Sequence, residues 1–521
     1  MEKSRVCILT AGSGSRLGEQ LQIINKSLIP LGDKAVLSRI IESFPSDSEF
    51  IIALGHRGEQ VRDYLSLAHP GLSVKFVEVA NFEGPGSGPG ESLRSCRHEL
   101  QSGPFYFVSC DTLWSDKFTD FPSDENWMAV SEISPDEAAA YSLIFSESGR
   151  VTDIRDKYSA RNITGGLAFT GFAFIYDHED FWAGLEQINN NPKEKQVMDG
   201  FIGLMQKRPV RAVPLKWTDV GTLEKYRKAY GAFADFDYSK SEEFFYSVNS
   251  RIVKFFADRA VVKNRVAKAK LMPRVFPQVF GGEGQFYAYD YQKGDTFYKL
   301  GDRATFDLLI QWLRDELWKP RDIDEDEFKV LCRKFYVDKT VQRLELYNRK
   351  YGSQAEIING VRVPLAETLF SRVDQKQLIS GLPFFIHGDL QPDNIIFDRD
   401  DNRFVLIDWR QDFSGRIDLG DLYYDFAKLL GGLQMDYSAI KRNRFEFEEI
   451  DGHVKIGHES VKYGKEATQS LKAAALKMGL DFKKVEMLTG LIYLNMAPLH
   501  HYPFDKLLNA KGRLILGENL S

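Results

Sequence analysis

This chain of 521 residues has only four cysteines, a small excess of negative over positive charge, and no long run of apolar residues. The four cysteines have no paired spacing, which argues against a disulfide framework or a zinc site and fits a reducing compartment. A net charge of −6 gives no broad basic field, so nucleic acid is not expected as a partner. No apolar run approaches the roughly 20 residues of a membrane helix, and the charged start MEKSRVCIL differs from a signal peptide. We therefore expect a cytoplasmic protein without membrane insertion, and the oligomeric state stays open.

Length and patterning indicate two folded domains. Hydrophobic residues make up 43% and charged residues 27% of the chain, near the averages for soluble globular proteins. The chain is longer than a single hydrophobic core ordinarily organises. Strand patterns such as RVCILTA and FIIALG alternate with amphipathic stretches such as HRGEQVRDYLSLA, which predicts an α/β domain with a parallel sheet. The polar segment AFADFDYSKSEEFFYSVNS shows no helix or strand periodicity and is interpreted as the connection. We expect domains over residues 1–235 and 236–521, the second having short strands before a mostly helical region.

A glycine-rich turn follows the first strand pattern. In LTAGSGSRLG, Gly12 and Gly14 would let backbone N–H groups approach a phosphate closely, and Arg16 would add positive charge. Taken alone, this turn is equally compatible with a purely structural role.

Three further motifs favour phosphate chemistry. Lys26 precedes an apolar strand in NKSLIPLGDKAVL, where it could neutralise a triphosphate. Asp111 ends the buried strand of FVSCDTLW, and Asp219 lies in KWTDVGTLEKY. Carboxylates at strand ends can hold Mg²⁺ against a nucleotide.

In this order, the motifs resemble the nucleotidyltransferase family that joins a nucleoside triphosphate to a phosphorylated sugar or alcohol and releases pyrophosphate. The resemblance covers roughly residues 4–230 and implies a Rossmann-like domain. It implies catalytic roles for Arg16 and Lys26, and metal binding by Asp111 and Asp219. The implied triphosphate-binding residues are Ala11, Gly12, Ser13 and Gly14.

The same resemblance assigns two more segments. NFEGPGSGPGESL, with Gly88, stands where related enzymes place the nucleobase, although a flexible surface loop is the alternative interpretation. IRDKY puts Lys157 where a lysine often binds the acceptor phosphate.

The strongest motif is FFIHGDLQPDNIIFD followed by FVLIDWRQDF. Asp389 lies five residues before Asn394 and nineteen before Asp408. In phosphoryl transfer, the first carboxylate can accept the acceptor's hydroxyl proton while Asn394 and Asp408 hold Mg²⁺ on ATP. His387 is expected to shape the loop, and the aspartates of DLGDLYYDFAKLL to act as caps and loop anchors.

This pattern resembles the aminoglycoside phosphotransferase and choline kinase family of small-molecule kinases, over about residues 245–521, which implies a bilobal kinase-like domain. N-terminal to this motif, the segment RIVKFF contains Lys254, which the resemblance implies is the strand lysine that contacts the ATP phosphates. The sequence departs from the family pattern because no Gly-rich hairpin precedes Lys254 and DRAVVKNRVAKAKLM offers no glutamate to pair with it. A surface lysine is the alternative.

Together the two resemblances imply a bifunctional enzyme with Mg²⁺ as cofactor. One half would phosphorylate choline, ethanolamine, a polyol or a sugar with ATP, and the other would add a nucleotide, preferably from CTP, to make a cell-surface polysaccharide precursor. Tyr423, Tyr424 and Tyr502 could form a cation–π cage for a quaternary amine or could be ordinary core residues. The alternatives are a nucleotidyltransferase whose kinase-like half only binds or regulates, and a non-enzymatic scaffold.

Overall fold

The computed structural model describes residues 3–18, 21–155, 157, 165–187, 196–231, 242–352 and 355–520. The chain divides into two units. The first consists of Met1–Ala234, Ser241–Ala257 and Gly284–Ala288. The second consists of Asp235–Lys240, Asp258–Glu283 and Tyr289–Ser521. The predicted domain boundary at residues 235 and 236 lies outside the described residues and stays a prediction.

The first half of the chain alternates strands with helices, as its patterning predicts. The strands are β1 Arg5–Leu9, β2 Pro30–Leu31, β3 Lys34–Ala35, β4 Glu49–Leu54, β5 Val74–Glu78, β6 Phe105–Ser109, β7 Thr112–Trp114, β8 Trp127–Ser131, β9 Leu143–Glu147, β10 Arg150–Arg155, β11 Leu167–Ile175, β12 Arg211–Pro214, β13 Trp217–Asp219, β14 Glu243–Val248 and β15 Arg251–Phe256. The helices are α1 Val36–Glu42, α2 Gly58–Ala68, α3 Pro89–Ser95, α4 Arg97–Leu100, α5 His178–Gln187, α6 Met198–Met205 and α7 Leu223–Tyr230, with 3₁₀ turns at Ser15–Leu17, Lys26–Leu28, Phe118–Asp120 and Pro135–Ala140.

A nine-stranded sheet, in the order β5-β4-β1-β6-β11-β8-β12-β10-β9, forms the centre of the first unit. The first four strands are parallel, and β1 and β4 read as continuous apolar runs because both of their faces are buried. The prediction of a parallel sheet is wrong for β11, which runs antiparallel to both β6 and β8.

The hairpin of β14 and β15 also belongs to the first unit. Buried Tyr246 donates a hydrogen bond to the carbonyl of Leu28 at 2.7 Å, and its ring meets that of Tyr64 at 5.0 Å. The interpretation of AFADFDYSKSEEFFYSVNS as a connection without strands is therefore wrong at residues 243–248, which are β14. Alternating aromatic side chains in EFFYSV bury one face of this strand.

The later part of the chain is mostly helical. Its helices are α8 Arg259–Leu271, α9 Phe297–Leu300, α10 Arg303–Trp312, α11 Glu325–Cys332, α12 Lys339–Tyr351, α13 Ala366–Arg372, α14 Gln375–Ile379, α15 Leu422–Gln434, α16 Tyr437–Lys441, α17 Gly464–Lys477, α18 Phe482–Met496 and α19 Phe504–Asn519, with π segments at Leu313–Leu317 and Arg333–Asp338 and 3₁₀ turns at Pro392–Asn394 and Ala497–Leu499. Its strands are β16 Val279–Gly281, β17 Phe286–Asp290, β18 Asp295–Thr296, β19 Ile357–Ile358, β20 Val361–Arg362, β21 Pro383–Phe384, β22 Ile395–Asp398, β23 Arg403–Leu406, β24 Gly420–Asp421, β25 Phe445–Ile450 and β26 His453–His458.

Two elements of the second unit position its candidate site. The hairpin of β22 and β23 connects the two motif segments, because Ile395 pairs with Leu406 in its register. Helix α15 is buried along most of its length and begins at the N-cap Asp421, whose carboxylate accepts the N–H of Tyr423.

Candidate active sites

The glycine-rich turn of the first unit lies between β1 and the 3₁₀ turn that contains Arg16. Gly14 has φ +69°, and a Cβ there would lie 3.2 Å from the Cβ of Lys26. Gly12 has open space where a Cβ would be. Gly14 is thus required by the fold itself, whereas nothing in the fold requires glycine at position 12. Ala11 is buried, and Ser13 joins the two glycines.

Asn25 fixes the segment that carries Lys26 to this turn. Its side-chain amide donates to the carbonyls of Thr10 and His56, at 3.0 and 2.7 Å, and its carbonyl oxygen caps the 3₁₀ turn by accepting from Ser27. Asn25 is fully buried, so these bonds are costly to lose. The position of Lys26 is therefore set by a polar side chain that sequence reasoning missed.

Lys26 forms an ion pair with Asp111. Burial would lower the pKa of Lys26, but the charge and hydrogen bond of Asp111, together with Cys110, outweigh it and the pKa is raised. Burial would likewise raise the pKa of Asp111, and the nearby Lys26 outweighs it and holds the pKa below its ordinary value. Both groups are charged at neutral pH.

Strand pairing brings Asp219 to Asp111. In the antiparallel pair of β7 and β13, Asp219 lies opposite Thr112, the neighbour of Asp111 in sequence. A Cβ on Gly221 would lie 2.7 Å from Oδ2 of Asp111 and 3.0 Å from Oδ1 of Asp219. The two carboxylates thus converge on one point although 108 residues separate them in the sequence.

Lys225 and Tyr141 complete this group, and sequence reasoning missed both. The Nζ of Lys225 lies 3.0 Å from Oδ2 of Asp219 and 2.9 Å from Glu137, and it also contacts the hydroxyl of Tyr141. The Tyr141 hydroxyl donates to Oδ2 of Asp219 at 2.5 Å, and burial raises its pKa to about 12. A sequence signal existed for Lys225, which follows Asp219 by six residues at the start of α7.

One cavity of about 440 Å³ joins these side chains. Its lining includes Arg16, Asp111, Lys157 and Asp219 from the predicted set, together with Pro89, the neighbour of Gly88. Gly88 has φ +128° and stands before the first residue of α3. Across the described residues, no group of three or more His, Cys, Asp or Glu side chains could hold a metal by itself. Two converging carboxylates nevertheless fit Mg²⁺, which proteins often hold with one or two carboxylates plus substrate phosphates.

The second candidate site is built on the segment from Asp389 to Asp408, which contains a loop and the β22–β23 hairpin. The side-chain amide of Asn394 donates to the backbone carbonyl of Asp389 at 2.9 Å, and the carbonyl of Asn394 accepts the N–H of Ile407. Asp408 follows directly, with φ +56°, a backbone conformation that aspartate tolerates and that occurs at functional sites. The side-chain oxygens of Asn394 and Asp408 are of the type that Mg²⁺ prefers, so this pair also fits the ion.

His387 shapes the loop, as the sequence predicts. The ring is fully buried, its Nε2 donates to the carbonyl of Ile407 at 3.0 Å, and its Nδ1 accepts the N–H of Asp389 at 3.1 Å. Burial lowers the pKa of His387 to about 3, so the ring is neutral and positions Asp389 without transferring protons.

Asp425 anchors the loop from α15. Its carboxylate accepts the N–H groups of His387 and Gly388 at 2.8 and 2.7 Å, and the indole N–H of Trp318 at 3.1 Å. Asp421 caps α15, and Asp418 pairs with Arg416 at 3.0 Å. The prediction that the aspartates of DLGDLYYDFAKLL are caps and anchors is confirmed.

Lys254 lies in the first unit, whereas Asp389, Asn394 and Asp408 lie in the second. Its Nζ lies 5.3 Å from the ring centroid of Phe245 on the neighbouring strand. Within the second unit, Lys268 of α8 donates to the backbone carbonyls of His387 and Arg410 at 3.2 and 3.0 Å. The role of Lys254 toward ATP stays a prediction.

The three tyrosines considered for a cation–π cage have separate surroundings. Lys484 lies over the Tyr423 ring at 4.3 Å, Tyr424 packs edge-on against Phe335, and exposed Tyr502 contacts Phe447. These contacts favour the alternative that Tyr423 and Tyr424 are core residues.

Two family models match separate parts of the chain. The MobA-like NTP transferase domain matches residues 6–118, and the phosphotransferase enzyme family matches residues 265–449. The chain therefore joins an N-terminal nucleotidyltransferase domain to a C-terminal kinase-like phosphotransferase domain, which confirms the predicted fusion and fold class. No helix in the described part of the chain has the length and apolarity that crossing a bilayer requires.

Similar curated proteins include the bifunctional protein GlmU of Methanocaldococcus jannaschii, 23% identical over 218 residues, and that of Methanococcus maripaludis, 24% identical over 221 residues. Each match covers 41% of this chain and 50% of the relative, so the chain spans about half the length of the curated relatives it matches.

Among solved structures, a UDP-glucose pyrophosphorylase complexed with UDP-glucose is 20% identical, covering 44% of this chain and 98% of that one, with a TM-score of 0.38. The UTP-bound UGPase of Acinetobacter baumannii is 14% identical, covering 45% and 95%, with a TM-score of 0.37.

Proposed function

We propose that this chain is a bifunctional transferase that phosphorylates a small alcohol with ATP and then couples the product to a nucleotide. The observation that carries the proposal is the presence of two complete polar sites in one chain. The pair Asp111 and Asp219 converges in the first unit, and Asp389, Asn394 and Asp408 lie on one loop and hairpin of the second. A product of the second site would be a substrate of the first.

In the kinase step, the alcohol oxygen bonds to the γ-phosphorus of ATP while the bond from that phosphorus to the β–γ bridging oxygen breaks. ADP leaves with the electron pair, and the hydroxyl proton passes to Asp389. Asn394 and Asp408 would hold Mg²⁺, which neutralises phosphate charge when bound. His387 and Asp425 keep the Asp389 carboxylate in place.

In the nucleotidyl step, an oxygen of the alcohol phosphate attacks the α-phosphorus of the nucleoside triphosphate, and pyrophosphate leaves. Arg16 and Lys26 would stabilise the phosphate charges, and Lys157 would bind the acceptor phosphate at the same cavity. Asp111 and Asp219 would hold Mg²⁺. We propose CTP as the donor and a cell-surface polysaccharide precursor as the product, by resemblance to cytidylyltransferases that act on phosphorylated alcohols.

Two variants test the order of the steps. With ATP, CTP, Mg²⁺ and a panel of alcohols, ³¹P NMR should show that Asp111→Asn accumulates the alcohol phosphate. Asp389→Asn should lose the kinase step by at least about a thousandfold and still form product when the alcohol phosphate is supplied. Exposed carboxylates offer matched controls, and Asp124→Asn and Asp400→Asn should both behave as wild type.

A second candidate is a nucleotidyltransferase whose kinase-like half only binds a ligand. The absent Gly-rich hairpin and the grouping of Lys254 with the first unit favour it. If Asp389→Asn matches wild type on every free alcohol in the panel, this second candidate replaces the bifunctional one.

A further inference from the structure

Basic side chains crowd the carboxylate of Asp389. The Nζ of Lys428, on α15, lies 2.7 Å from Oδ1 of Asp389, and the Lys428 side chain is only 9% exposed. An alcohol whose hydroxyl reaches this carboxylate must therefore come within a few ångströms of the Lys428 ammonium group. Any other group on a small acceptor lies in the same positive field.

Two more cations share one aromatic ring beside it. The Nζ of Lys339 lies 4.4 Å from the centroid of Phe335, and the guanidinium carbon of Arg410 lies 4.9 Å from the same centroid. Phe335 belongs to the π segment Arg333–Asp338, and such segments are rare and frequent at functional sites.

Arg410 is held firmly against the loop. Its backbone N–H donates to the carbonyl of His387 at 3.1 Å, and its Nε donates to the carbonyl of Asp412 at 3.1 Å. Gly388 has φ +83°, and a Cβ there would lie 2.7 Å from the Cβ of Arg410. The turn that carries Asp389 thus depends on glycine to let Arg410 pack beside it.

Lys339, Arg410 and Lys428 lie close enough together for their charges to repel one another. Burial and the charges of Arg410, Lys428 and Arg343 hold the pKa of Lys339 well below its ordinary value. The charge of Asp389 acts in the opposite direction and raises this pKa by a smaller amount. Lys441, the lysine beside the proposed metal ligands, forms an ion pair with Asp393 at 3.0 Å and is not counted in this cluster. An anion would relieve the repulsion within the cluster of Lys339, Arg410 and Lys428.

We propose that the alcohol phosphorylated at Asp389 carries an anionic group, a carboxylate or a phosphate, which the cluster of Lys339, Arg410 and Lys428 binds. This inference rests on the proposed kinase step and names its substrate class. It replaces choline and ethanolamine, expected from family resemblance, because a positively charged acceptor would be repelled by the same cluster. The anionic group orients the hydroxyl toward Asp389, and the reaction itself is unchanged.

A matched set of three-carbon alcohols tests the charge preference in the full-length enzyme. Glycerate and glycerol 3-phosphate are anionic, glycerol is neutral, and 2-amino-1,3-propanediol is cationic. The rate of ADP release in the presence of ATP and Mg²⁺ measures phosphorylation of each alcohol. We expect at least one anion to have a kcat/KM about tenfold or more above that of glycerol, and the amine to have the lowest kcat/KM. The two anions distinguish a carboxylate-binding site from a phosphate-binding site.

Lys339→Met should raise the KM for the preferred anion by about tenfold or more and leave the KM for ATP within about twofold. Lys334→Met changes an exposed lysine of the π segment that precedes Lys339, and this matched control should behave as wild type. Lys339→Glu should favour the amine over the anion, a reversal that a merely misfolded variant would not show.

Three results would overturn the inference. Preferential use of glycerol or the amine would contradict the charge preference and leave the proposed kinase step intact. A rise in the KM for ATP alone in Lys339→Met would assign the cluster to the ATP phosphates. If no alcohol of any charge is phosphorylated, the kinase step itself fails and the inference falls with it.

Discussion

The two candidate sites are assembled in different ways. In the first unit, Asp111 lies between β6 and β7, Asp219 ends β13 108 residues later, and the pairing of β7 with β13 brings them together. In the second, Asp389, Asn394 and Asp408 lie within 20 residues on one loop and hairpin. The first site depends on sheet register, whereas the second depends on the buried groups beneath its loop.

The charges differ in the same way. Each carboxylate of the first site has a lysine of its own, since Lys26 pairs with Asp111 and Lys225 with Asp219. In the second site, Lys428 contacts Asp389, and Lys339 and Arg410 lie over the ring of Phe335. The paired charges of the first site suit a nucleotide whose phosphate charge is balanced by Mg²⁺. The basic cluster of the second site suits an acceptor that carries negative charge.

The largest expected effect concerns the anchor of the second loop. Asp425→Ala leaves the N–H groups of His387 and Gly388 buried without an acceptor, so the free energy of unfolding should fall by about 3–5 kcal/mol. Phosphorylation of the alcohol should fall with it, while nucleotidyl transfer from supplied alcohol phosphate is kept. Thermal unfolding and the two separate activities measure this. Asp425→Asn, which retains one acceptor oxygen, should recover part of both losses, and equal damage to both activities would contradict the separation of the sites.

Lys225 should matter next most. Lys225→Met removes the cation beside Asp219 and should lower nucleotidyl transfer by about a hundredfold with little change in kinase activity. Pyrophosphate release from CTP and supplied alcohol phosphate measures this. Lys228→Met on the same helix, at an exposed position, is the matched control. A loss confined to kinase activity would show that the role of Lys225 is misassigned.

Both units contain a buried neutral histidine, which predicts a shared sensitivity to acid. Burial lowers the pKa of His69 to about 4 and that of His387 to about 3. The unfolded chain binds a proton near pH 6.5 and the folded chain does not, so stability is full above that pH and falls as the pH drops. At pH 5, each histidine should cost about 2 kcal/mol, and below pH 4 the cost at His387 should keep growing after that at His69 levels off.

Denaturant unfolding between pH 7 and pH 3 measures this difference. His387→Gln and His69→Gln should each be less stable at pH 7 but lose less stability on acidification. Unchanged acid sensitivity in His387→Gln would show that other groups control it.

The smallest effects separate fold from ligand at the glycine-rich turn. Gly14→Ala should cost about 1 kcal/mol of unfolding free energy, because alanine is strained at φ +69°. Gly12→Ala should leave stability unchanged within about 0.5 kcal/mol and raise the KM for the nucleoside triphosphate, since only a bound phosphate needs that space. A Gly12→Ala enzyme with an unchanged KM would remove Gly12 from the proposed site.

The sequence predicted the second site more completely than the first for a physical reason. Asp389, Asn394 and Asp408 are close in sequence, so their spacing is itself geometric information. Tyr141 and Asn25, in contrast, take part in the first site through hydrogen bonds to residues distant in the sequence, which no local pattern encodes. The same limit hid β14, whose aromatic face is stabilised by partners about 180 residues away in the chain.

By itself, the amino-acid sequence determined the presence of two transferase domains and the residues of the HGDLQPDN loop, because these depend on short-range patterns. Only the tertiary structure decided which side chains surround them. The antiparallel direction of β11, the placement of Lys254 in the first unit and the cations around Asp389 all arise from packing between distant segments. Burial and electrostatic interactions depend on distances in three dimensions. The sequence therefore identifies the reactive groups, whereas the structure shows which buried and charged side chains surround them.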